Sequence, residues 1–289
     1  MNVARAPGEL ERKPRAVAIG TFDGVHRGHQ AVVRHAVEAG RTPTVVTFHP
    51  HPREVLGYGV QLLSTLDRRL ELLEAVGVED TLVVEFTSEV AATRAEAFAE
   101  SHVLALGAEV VVAGEGFRFG NKRGGDLAVF ERLGAEVRET PLVPGISSRQ
   151  IRELVIAGDV RRAAAQLGRP VEVEGIVVSG DARGGTLGFP TANLRVDHSV
   201  LVPRFGIYAG SGLEHRAAVS IGINPHYGGA ERRVEAFLLD FEGDLYGRRV
   251  LVELWERLRD EAVFESEDEL IDQIARDVEQ TRQATRPGP

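Results

Sequence analysis

Residues 18–33 read AIGTFDGVHRGHQAVV, and this stretch decides the fold. It continues an apolar run that begins at Ala16, and it passes through glycine-rich sequence into a helical pattern. The order predicts a β-strand, a tight loop and a helix. The free N–H groups and the dipole of a helix N-terminus favour a negative charge, so the loop is a candidate anion site. A helix end alone contributes only ~0.3–1 kcal/mol, and donor side chains must add to it.

Two histidines, His26 and His29, stand at the predicted start of this helix. Neutral imidazoles can donate hydrogen bonds to phosphate oxygens, and either ring can take up a proton as phosphate approaches. Gly24 and Gly28 would let the backbone and a ligand come close. The alternative is a capped helix with two incidental surface histidines. Zinc is disfavoured because no third ligand is apparent nearby.

The rest of the first half alternates strand patterns with helical patterns. Short apolar runs rich in β-branched residues predict further strands at 44–48, 81–86 and 109–114. The clearest helix follows Ser64 or Thr65 as its cap, with a predicted apolar face of Leu66, Leu70, Leu73 and Val76. Such alternation predicts a parallel sheet covered on both faces, with ligands bound at the carboxyl ends of its strands.

The sequence changes character from about Pro170. Short alternating or apolar runs separated by glycine-bearing turns predict an antiparallel barrel with strands within 170–181, 205–212, 216–223, 233–244 and 248–260. One helix over 265–283 follows, and the tail 284–289 is expected to be frayed. Two helical patterns join the halves, so we place the boundary near Gly168, between domains 1–168 and 169–289.

Composition and charge narrow the possible functions. The chain has no cysteine, which excludes disulfides, thiolate metal sites and a cysteine nucleophile. A net charge of −9 argues against a general nucleic-acid binder, so a polyanionic ligand must meet a local basic cluster. Residues 1–15 lack the apolar core of a signal peptide, and no apolar run approaches membrane-spanning length. We therefore expect a cytoplasmic protein without a membrane partner.

Two further clusters in the first half carry positive charge. Residues 114–126, GEGFRFGNKRGGD, follow a predicted strand and combine basic side chains with Phe117 and Phe119; the alternative is a flexible surface loop. Residues 145–155 place a possible Ser147 cap before Arg152 on a helix, which is another anion-binding arrangement. An ordinary capped helix is the alternative there.

The fourth cluster, residues 179–194, lies in the second half. Its glycine-rich turn could expose backbone donors to phosphate, and Thr191 and Asn193 offer the neutral oxygens that suit Mg²⁺. Further along, Glu235 occupies an alternating strand position and could accept a proton from an attacking hydroxyl. The alternative for Glu235 is a solvated strand side chain.

Five segments in combination resemble one family. GTFDGVHRGH, TFHPHPREVL, FRFGNKRGGD, RGGTLGFPTANL and VEAFLLDFEGDLYG are similar, in this order, to the bacterial bifunctional riboflavin kinase/FMN adenylyltransferases, and the resemblance covers residues 16–282. It implies an α/β Rossmann-like nucleotidyltransferase domain built on a parallel sheet. An antiparallel β-barrel riboflavin kinase domain with a C-terminal helix would follow.

The resemblance also implies substrates and residue roles. The substrates and products would be ATP, riboflavin, FMN and FAD, with Mg²⁺ as cofactor. His26 and His29, assisted by Arg152, would act on the ATP phosphates during adenylyl transfer. In the kinase domain, Glu235 would be the base, and Thr191 and Asn193 would bind Mg²⁺ and phosphate. The other residues implied to bind nucleotide or flavin are Gly20, Phe22, Asp23, Gly24, Gly28, Phe117, Arg118, Arg123, Asp126, Ser147, Ser148, Arg183, Gly188 and Pro190.

Four positions depart from the family pattern: Gly116, Arg149, Ser220 and His226. They keep two alternatives open. One is a specialised relative that retains a single activity or acts on a modified flavin or another nucleotide substrate. The other is a flavin- or nucleotide-binding module without turnover. The sequence leaves the oligomeric state open.

Overall fold

The computed structural model describes residues 1–180, 189–224 and 231–288. The chain divides into two compact units, Met1–Ser148 and Arg149–Pro289. Among the described residues, no helix combines the length and the apolar character needed to cross a membrane.

The first unit is built on a six-stranded parallel sheet. Its strands are β1 Asn2–Ala4, β2 Arg15–Ile19, β3 Thr42–His49, β4 Asp80–Glu85, β5 Ala108–Gly114 and β6 Glu136–Thr140. The order in the sheet is β1-β4-β3-β2-β5-β6, and every neighbouring pair is parallel. The predicted parallel sheet is confirmed. Edge strands β1 and β6 were not predicted, because neither has a long apolar run.

Helices and short turns connect these strands. The α-helices are α1 Arg27–Val37, α2 Pro52–Val55, α3 Leu66–Ala75, α4 Ser88–Ala92, α5 Ala95–Phe98 and α6 Leu127–Arg132. Shorter 3₁₀ turns lie at Pro7–Glu9, Leu104–Leu106 and Asn121–Arg123, and a π-helical turn spans Ala99–Val103. The predicted alternation of strands and helices is therefore present.

The central strand β2 is buried on both of its faces. Val17 and Ile19 belong to one apolar core, and Ala16 and Ala18 belong to the core on the opposite face. Side chains alternate between the two faces of a strand, so an uninterrupted apolar run fits a strand covered on both sides. Helix α1 packs against β2, β3 and β5 and covers the core that contains Ala16 and Ala18.

The sheet reverses its winding direction next to β2. From β2 the chain proceeds to β3 and β4 on one side, and it then returns to place β5 on the other side of β2. The loops that leave β2 and β5 therefore diverge from neighbouring strands at one edge. Such a switch point opens a crevice at the carboxyl ends of the strands, where ligands of open α/β sheets bind. The first two predicted clusters occupy these two loops.

Helix α3 buries a different face from the one predicted. Thr65 caps the helix by accepting a hydrogen bond from the Arg68 amide, as the sequence indicated. Its buried side chains are Arg69, Leu72 and Leu73, whereas Leu66, Leu70 and Val76 are only partly covered. Hydrophobic periodicity could not indicate that the buried face includes a guanidinium.

The second unit begins with two helices and continues into a closed antiparallel barrel. The helices are α7 Ser148–Ala157, whose first residue belongs to the first unit, and α8 Val160–Leu167. The barrel strands are β7 Val171–Val178, β8 Ala192–Val196, β9 Gly206–Gly212, β10 His215–Asn224, β11 Glu231–Leu238 and β12 Arg249–Arg259; α9 Glu267–Gln283 follows them. Their order is β10-β11-β8-β7-β12-β9, closed between β9 and β10. The predicted barrel and C-terminal helix are confirmed.

The two compact units divide after Ser148, the first residue of α7, whereas the sequence placed the boundary near Gly168. Helix α8 packs against barrel strands β7 and β12 and buries Ala163, Ala164 and Leu167. The amphipathic helix thus belongs to the core of the second unit, although its sequence reads as a connection between two domains.

The C-terminal tail is attached to the barrel, so the expectation of a frayed tail is wrong for Ala284 to Arg286. Arg286 donates two hydrogen bonds to the carboxylate of Glu253, at 2.8 and 2.6 Å. Burial alone would raise the pKa of Glu253, but the donors Arg286 and Trp255 outweigh it and lower that pKa. Ala284 is buried beside Trp255.

A buried ion pair lies where strands β2 and β4 begin, at the edge of the first sheet opposite the carboxyl ends of its strands. Arg15 and Asp80 are each only 1% exposed, and their charged groups are in contact. Asn2 donates a 2.7 Å hydrogen bond to the other carboxylate oxygen, and Lys13 approaches to 3.2 Å. Burial alone would raise the pKa of Asp80, but these donors together lower it.

We expect Arg15→Leu to lower the free energy of unfolding by ~3–5 kcal/mol, because it leaves the Asp80 carboxylate buried without its main partner. Arg41→Ala is the matched control: its pair with Glu109 is about half exposed, so the loss should stay below ~1 kcal/mol. Urea unfolding of both variants measures the difference, and equal losses would contradict the prediction.

The same pair predicts a pH dependence of stability. Asp80 has a lowered pKa in the folded state, so its stabilising contribution is fully present above its unfolded pKa of ~3.9. That contribution is lost as the pH falls through the folded value. Acid unfolding of wild type and Asp80→Asn should therefore differ above pH 4 and converge in stronger acid.

Candidate active site

The loop between β2 and α1 has a constrained backbone. Phe22, Gly24 and Val25 all have positive φ angles, of 49°, 77° and 38°. A non-glycine residue in this region costs ~1–3 kcal/mol unless its surroundings compensate. Gly24 has a second constraint, because a Cβ there would lie 2.8 Å from the Cβ of Leu63. Residues that hold the loop in this shape must therefore surround it.

Asp23 provides much of this support. Its carboxylate is 1% exposed and accepts hydrogen bonds from the amides of Leu63, at 3.0 and 3.1 Å, and Ser64, at 3.3 Å. The Ser64 hydroxyl accepts a 3.2 Å hydrogen bond from the Gly24 amide. Asp23, predicted as a binding residue, thus joins the loop to the segment that precedes α3.

The two predicted histidines lie together at the start of α1. The His26 ring caps the helix, because its Nδ1 accepts a 3.3 Å hydrogen bond from the His29 amide. The two rings stack with centroids 3.6 Å apart, and the edge of Phe22 packs on His29 at 5.4 Å. A neutral His26 that accepts at Nδ1 carries its proton on Nε2, which is then a donor.

Small residues leave space around this pair. A Cβ at Gly28 would lie 3.2 Å from the His26 ring, and one at Gly20 would lie 3.2 Å from the Phe22 ring. Contacts this short are tighter than ordinary packing, so larger side chains would displace the rings. The glycines predicted at the site thus fix where the aromatic groups lie.

The loop after β5 forms a short hairpin closed by a bridge between Phe119 and Gly125. Phe119 is buried, and Phe117 is half-buried and stacks on it with centroids 5.5 Å apart. Arg118 donates a 2.8 Å hydrogen bond to Asp126, whose other oxygen accepts from the Ala128 amide and caps α6.

The exposed tip of this hairpin carries the remaining basic groups. Lys122 and Arg123 adopt positive φ angles of 52° and 59° and are exposed. The predicted basic loop therefore has an apolar base and a charged tip.

Ser148 connects the third predicted cluster to the first. Ser148, the first residue of α7, donates from its hydroxyl to the Asp23 carbonyl oxygen at 3.4 Å. Ser147 directly precedes the helix, and Arg152 lies one turn further along it. Arg149 pairs with Glu153 at 3.0 Å on the exposed side.

A buried arginine of helix α3, which was not predicted from the sequence, reaches the end of β3 with its side chain. Arg69 has no exposed surface, and its Nη1 donates a 3.0 Å hydrogen bond to the carbonyl oxygen of Phe48. Burial lowers the pKa of Arg69, and the charge of Asp23 opposes this. Burial and the charge of Arg69 also lower the pKa of His49. Arginines on amphipathic helices are usually exposed, so no sequence signal marked this one.

The barrel brings three separate sequence positions into one row. In the strand register Glu235 lies opposite Asn193 on β8 and opposite Ser220 on β10. Directly paired residues share a face of a sheet, so the three side chains are neighbours. Arg233 donates a 2.6 Å hydrogen bond to the Glu235 carboxylate.

One cavity of about 180 Å³ opens in the second unit, and its lining includes Ala192 and Ala236, the chain neighbours of Asn193 and Glu235. It is lined by Val177, Pro190, Thr191, Ala192, Ala236, Leu238, Phe241, Gly243, Asp244, Leu245 and Tyr246. Two predicted residues, Pro190 and Thr191, are therefore at a concave site. Arg183, Gly188 and His226 lie outside the described residues.

Comparisons with known proteins identify the family. The FAD synthetase model matches residues 9–151, and the riboflavin kinase model matches residues 167–285. A bifunctional riboflavin kinase/FMN adenylyltransferase from Listeria monocytogenes is 35% identical, covering 93% of this chain and 91% of that protein. The chain belongs to the bifunctional riboflavin kinase/FMN adenylyltransferase family.

Two further relatives and one solved structure are similar to this chain over most of its length. The Bacillus subtilis protein is 34% identical, covering 92% of this chain and 91% of its own, and the Escherichia coli protein is 35% identical with 96% of each covered. A crystal structure described as a macrolide-efflux protein from Streptococcus pneumoniae has a TM-score of 0.88 at 31% identity, covering 98% of this chain and 99% of that one.

As a member of this family, the chain is a transferase with two activities. It phosphorylates riboflavin to FMN and adenylylates FMN to FAD, using ATP as co-substrate. The predicted function is confirmed. The alternative of a binding module without turnover is not confirmed.

A pair of glycine substitutions tests the packing of the loop. Gly24→Ala and Gly40→Ala both place a side chain at positive φ, which costs ~1–2 kcal/mol. Only Gly24→Ala also meets Leu63, so we expect an additional loss of ~1–3 kcal/mol and reduced FAD formation. Urea unfolding and an FMN-dependent assay of both variants check this. Equal behaviour would contradict the role assigned to the Leu63 contact.

Proposed function

We propose that adenylyl transfer takes place at the loop 20–26 and the start of α1, in the first unit. The observation that carries this proposal is the stacked pair of His26 and His29 at a helix N-terminus beside the switch point of the sheet. Helix dipole, free N–H groups and imidazole donors all favour the ATP phosphates there. The match of the FAD synthetase model to residues 9–151 supports this placement.

In this reaction a phosphate oxygen of FMN attacks the α-phosphorus of ATP. The new P–O bond forms as the bond from the α-phosphorus to the bridging oxygen breaks, and pyrophosphate leaves with that electron pair. His26 and His29 would donate hydrogen bonds to oxygens that gain charge in the transition state. Such preorganised donors act mainly by electrostatic stabilisation and positioning.

The other predicted residues have proposed supporting roles. Gly20, Phe22, Gly24 and Gly28 shape the loop, and Asp23 holds it through the amides of residues 63 and 64. Ser147, Ser148 and Arg152 would add donors from the start of α7. Phe117 would offer its uncovered face to a flavin or adenine ring, with Arg118, Arg123 and Asp126 beside it.

We propose that the barrel carries the kinase reaction, with Glu235 as the general base. The riboflavin 5′-hydroxyl oxygen would attack the γ-phosphorus of ATP while its proton passes to the Glu235 carboxylate, and ADP would leave. Support comes from the position of Glu235 between Asn193 and Ser220 in the strand register. The cavity that Thr191 lines also includes Ala236, the residue next to Glu235. A carboxylate within reach of the hydroxyl is what general-base catalysis requires.

The donor set at this site fits Mg²⁺ that arrives with the nucleotide. Mg²⁺ prefers oxygen ligands and commonly keeps substrate phosphates in its shell. Thr191 and Asn193 supply neutral oxygens, and the described residues contain no group of three or more histidines and carboxylates that could form an all-protein metal cage. Thr191 and Asn193 would hold the ion, which would neutralise phosphate charge.

Other expectations from the sequence remain proposals. The domain boundary near Gly168 and the roles of Arg183 and Gly188 are among them. Cytoplasmic location and the absence of nucleic-acid partners are the others.

We expect His29→Ala to lower FAD formation from FMN by at least ~100-fold, because it removes a donor to the transition state. FMN formation from riboflavin should change less than twofold. Chromatography of both reactions with one enzyme preparation measures this. His35→Ala is the control and should retain FAD formation, because His35 lies on the same helix as His29 but its ring contacts Thr140 of β6. Normal FAD formation by His29→Ala would overturn the proposed site.

Glu235→Gln should give the opposite result. The amide has nearly the same shape but cannot accept the proton, so riboflavin phosphorylation should fall by ~10²–10⁴-fold. FAD formation from supplied FMN should remain. Glu174→Gln is a matched control, since that barrel carboxylate also pairs with an arginine, Arg249, on a different strand pair. Loss of both activities in Glu235→Gln would contradict separate sites.

A further inference from the structure

Arg69 is the largest side chain without exposed surface on α3, and it lies under the loop 20–26. Helix α3 starts directly after the amides of Leu63 and Ser64 that bind Asp23. The Nη1 of Arg69 reaches the Thr47 hydroxyl at 3.4 Å, and that hydroxyl donates a 3.0 Å hydrogen bond to the Thr21 carbonyl oxygen. A short chain of contacts therefore connects the guanidinium to the loop.

The hydrogen-bonding capacity of Arg69 is only partly used. Its Nε and Nη2 have no partner among the residues that the structure describes, although both are buried. A guanidinium presents five N–H donors and stays charged under all ordinary conditions. Buried donors without partners are costly, so their retention needs an explanation.

The charge of Arg69 is also poorly balanced. Across the described parts of the chain, no carboxylate lies within ion-pair distance of it, in contrast to Arg15, whose charge is paired with Asp80. Asp23 acts on Arg69 electrostatically, but its oxygens accept from the Leu63 and Ser64 amides. The first unit therefore holds a buried guanidinium below the loop, with no carboxylate in contact with it among the described residues.

We propose that Arg69 is a positioning residue for adenylyl transfer, which draws the polyphosphate of ATP and the pyrophosphate product to the loop 20–26 by its buried charge. The inference rests on the proposed placement of adenylyl transfer at His26 and His29. Because Arg69 is covered by protein, it acts across the loop without touching the substrate. In a region of low dielectric constant a charge still acts at such a distance.

Two substitutions separate this role from simple support of the loop. Arg69→Gln keeps a donor for the Phe48 carbonyl oxygen but removes the charge, whereas Arg69→Lys keeps the charge with fewer donors. We expect Arg69→Gln to raise the KM for ATP in FAD formation, and the inhibition constant of pyrophosphate, by about tenfold. Arg69→Lys should stay within about threefold of wild type. If Arg69 acted through hydrogen bonds alone, Arg69→Lys would not restore the two constants that Arg69→Gln raises.

The controls come from the same chain. Arg68→Gln removes one positive charge from the neighbouring position of α3, where the side chain is 21% exposed and pairs with Glu71, and it should leave both constants unchanged. The KM for ATP in riboflavin phosphorylation should be the same in all variants. Equal constants for Arg69→Gln and wild type, or equal losses in Arg69→Gln and Arg68→Gln, would overturn the proposal.

If Arg69→Gln does not fold, the pH dependence of pyrophosphate inhibition tests the role of the charge instead. Burial lowers the pKa of a lysine, so the charge of Arg69→Lys should be lost at a lower pH than that of wild type. The surrounding charged and titratable groups are Asp23 on the loop and His49 at the end of β3, with Arg5, Glu54 and Asp67 acting on His49. Pyrophosphate inhibition should weaken between pH 7.5 and 9.5 more strongly in Arg69→Lys than in wild type. Parallel profiles would reject the role of the charge.

Failure of the Arg69 proposal can be distinguished from failure of the proposed adenylyl-transfer site. If His29→Ala leaves FAD formation intact, the site itself is misplaced. If His29→Ala abolishes FAD formation but Arg69→Gln and Arg69→Lys behave alike, only the role of Arg69 is wrong.

Discussion

The geometry of the proposed adenylyltransferase site depends on the hydrogen bonds between the Asp23 carboxylate and the amides of Leu63 and Ser64. They join a backbone with three positive φ angles to the segment that starts α3. Without such a partner the loop would relax toward ordinary conformations, and the rings of His26 and His29 would lose their common orientation. An acidic group would repel phosphate in the loop that we propose binds ATP, whereas the Asp23 carboxylate here accepts hydrogen bonds from backbone amides.

Much of the fold could be predicted because its signals are local. The apolar runs of β2, β3, β4 and β5 and the stretch 18–33 each indicate their own structure, and the strand-to-helix order implies a parallel sheet. Strands β1 and β6 were missed because edge strands need little apolar sequence. The burial of Arg69 was missed for a different reason: it depends on Thr47 and Phe48, which are distant in sequence.

The candidate site residues could be named from sequence, but their arrangement could not. His26 and His29 were predicted at a helix start, whereas their stacking and the capping role of His26 follow from the loop conformation. Asp126 was predicted to bind ligand, and in the structure it caps α6 and pairs with Arg118. Motifs identify residue types that a chemistry needs, while packing decides which of them face a ligand and which hold the backbone.

The register of the barrel has a consequence for how this chain can change over evolution. Glu235 faces Asn193 and Ser220 only while three strands keep their alignment. Inserting or deleting one residue within β11 would turn the glutamate toward the other side of the sheet, although every side chain of the site would still be encoded. Length variation in this domain is therefore tolerable in the connections between strands, and single-residue indels inside β8, β10 or β11 should be purged.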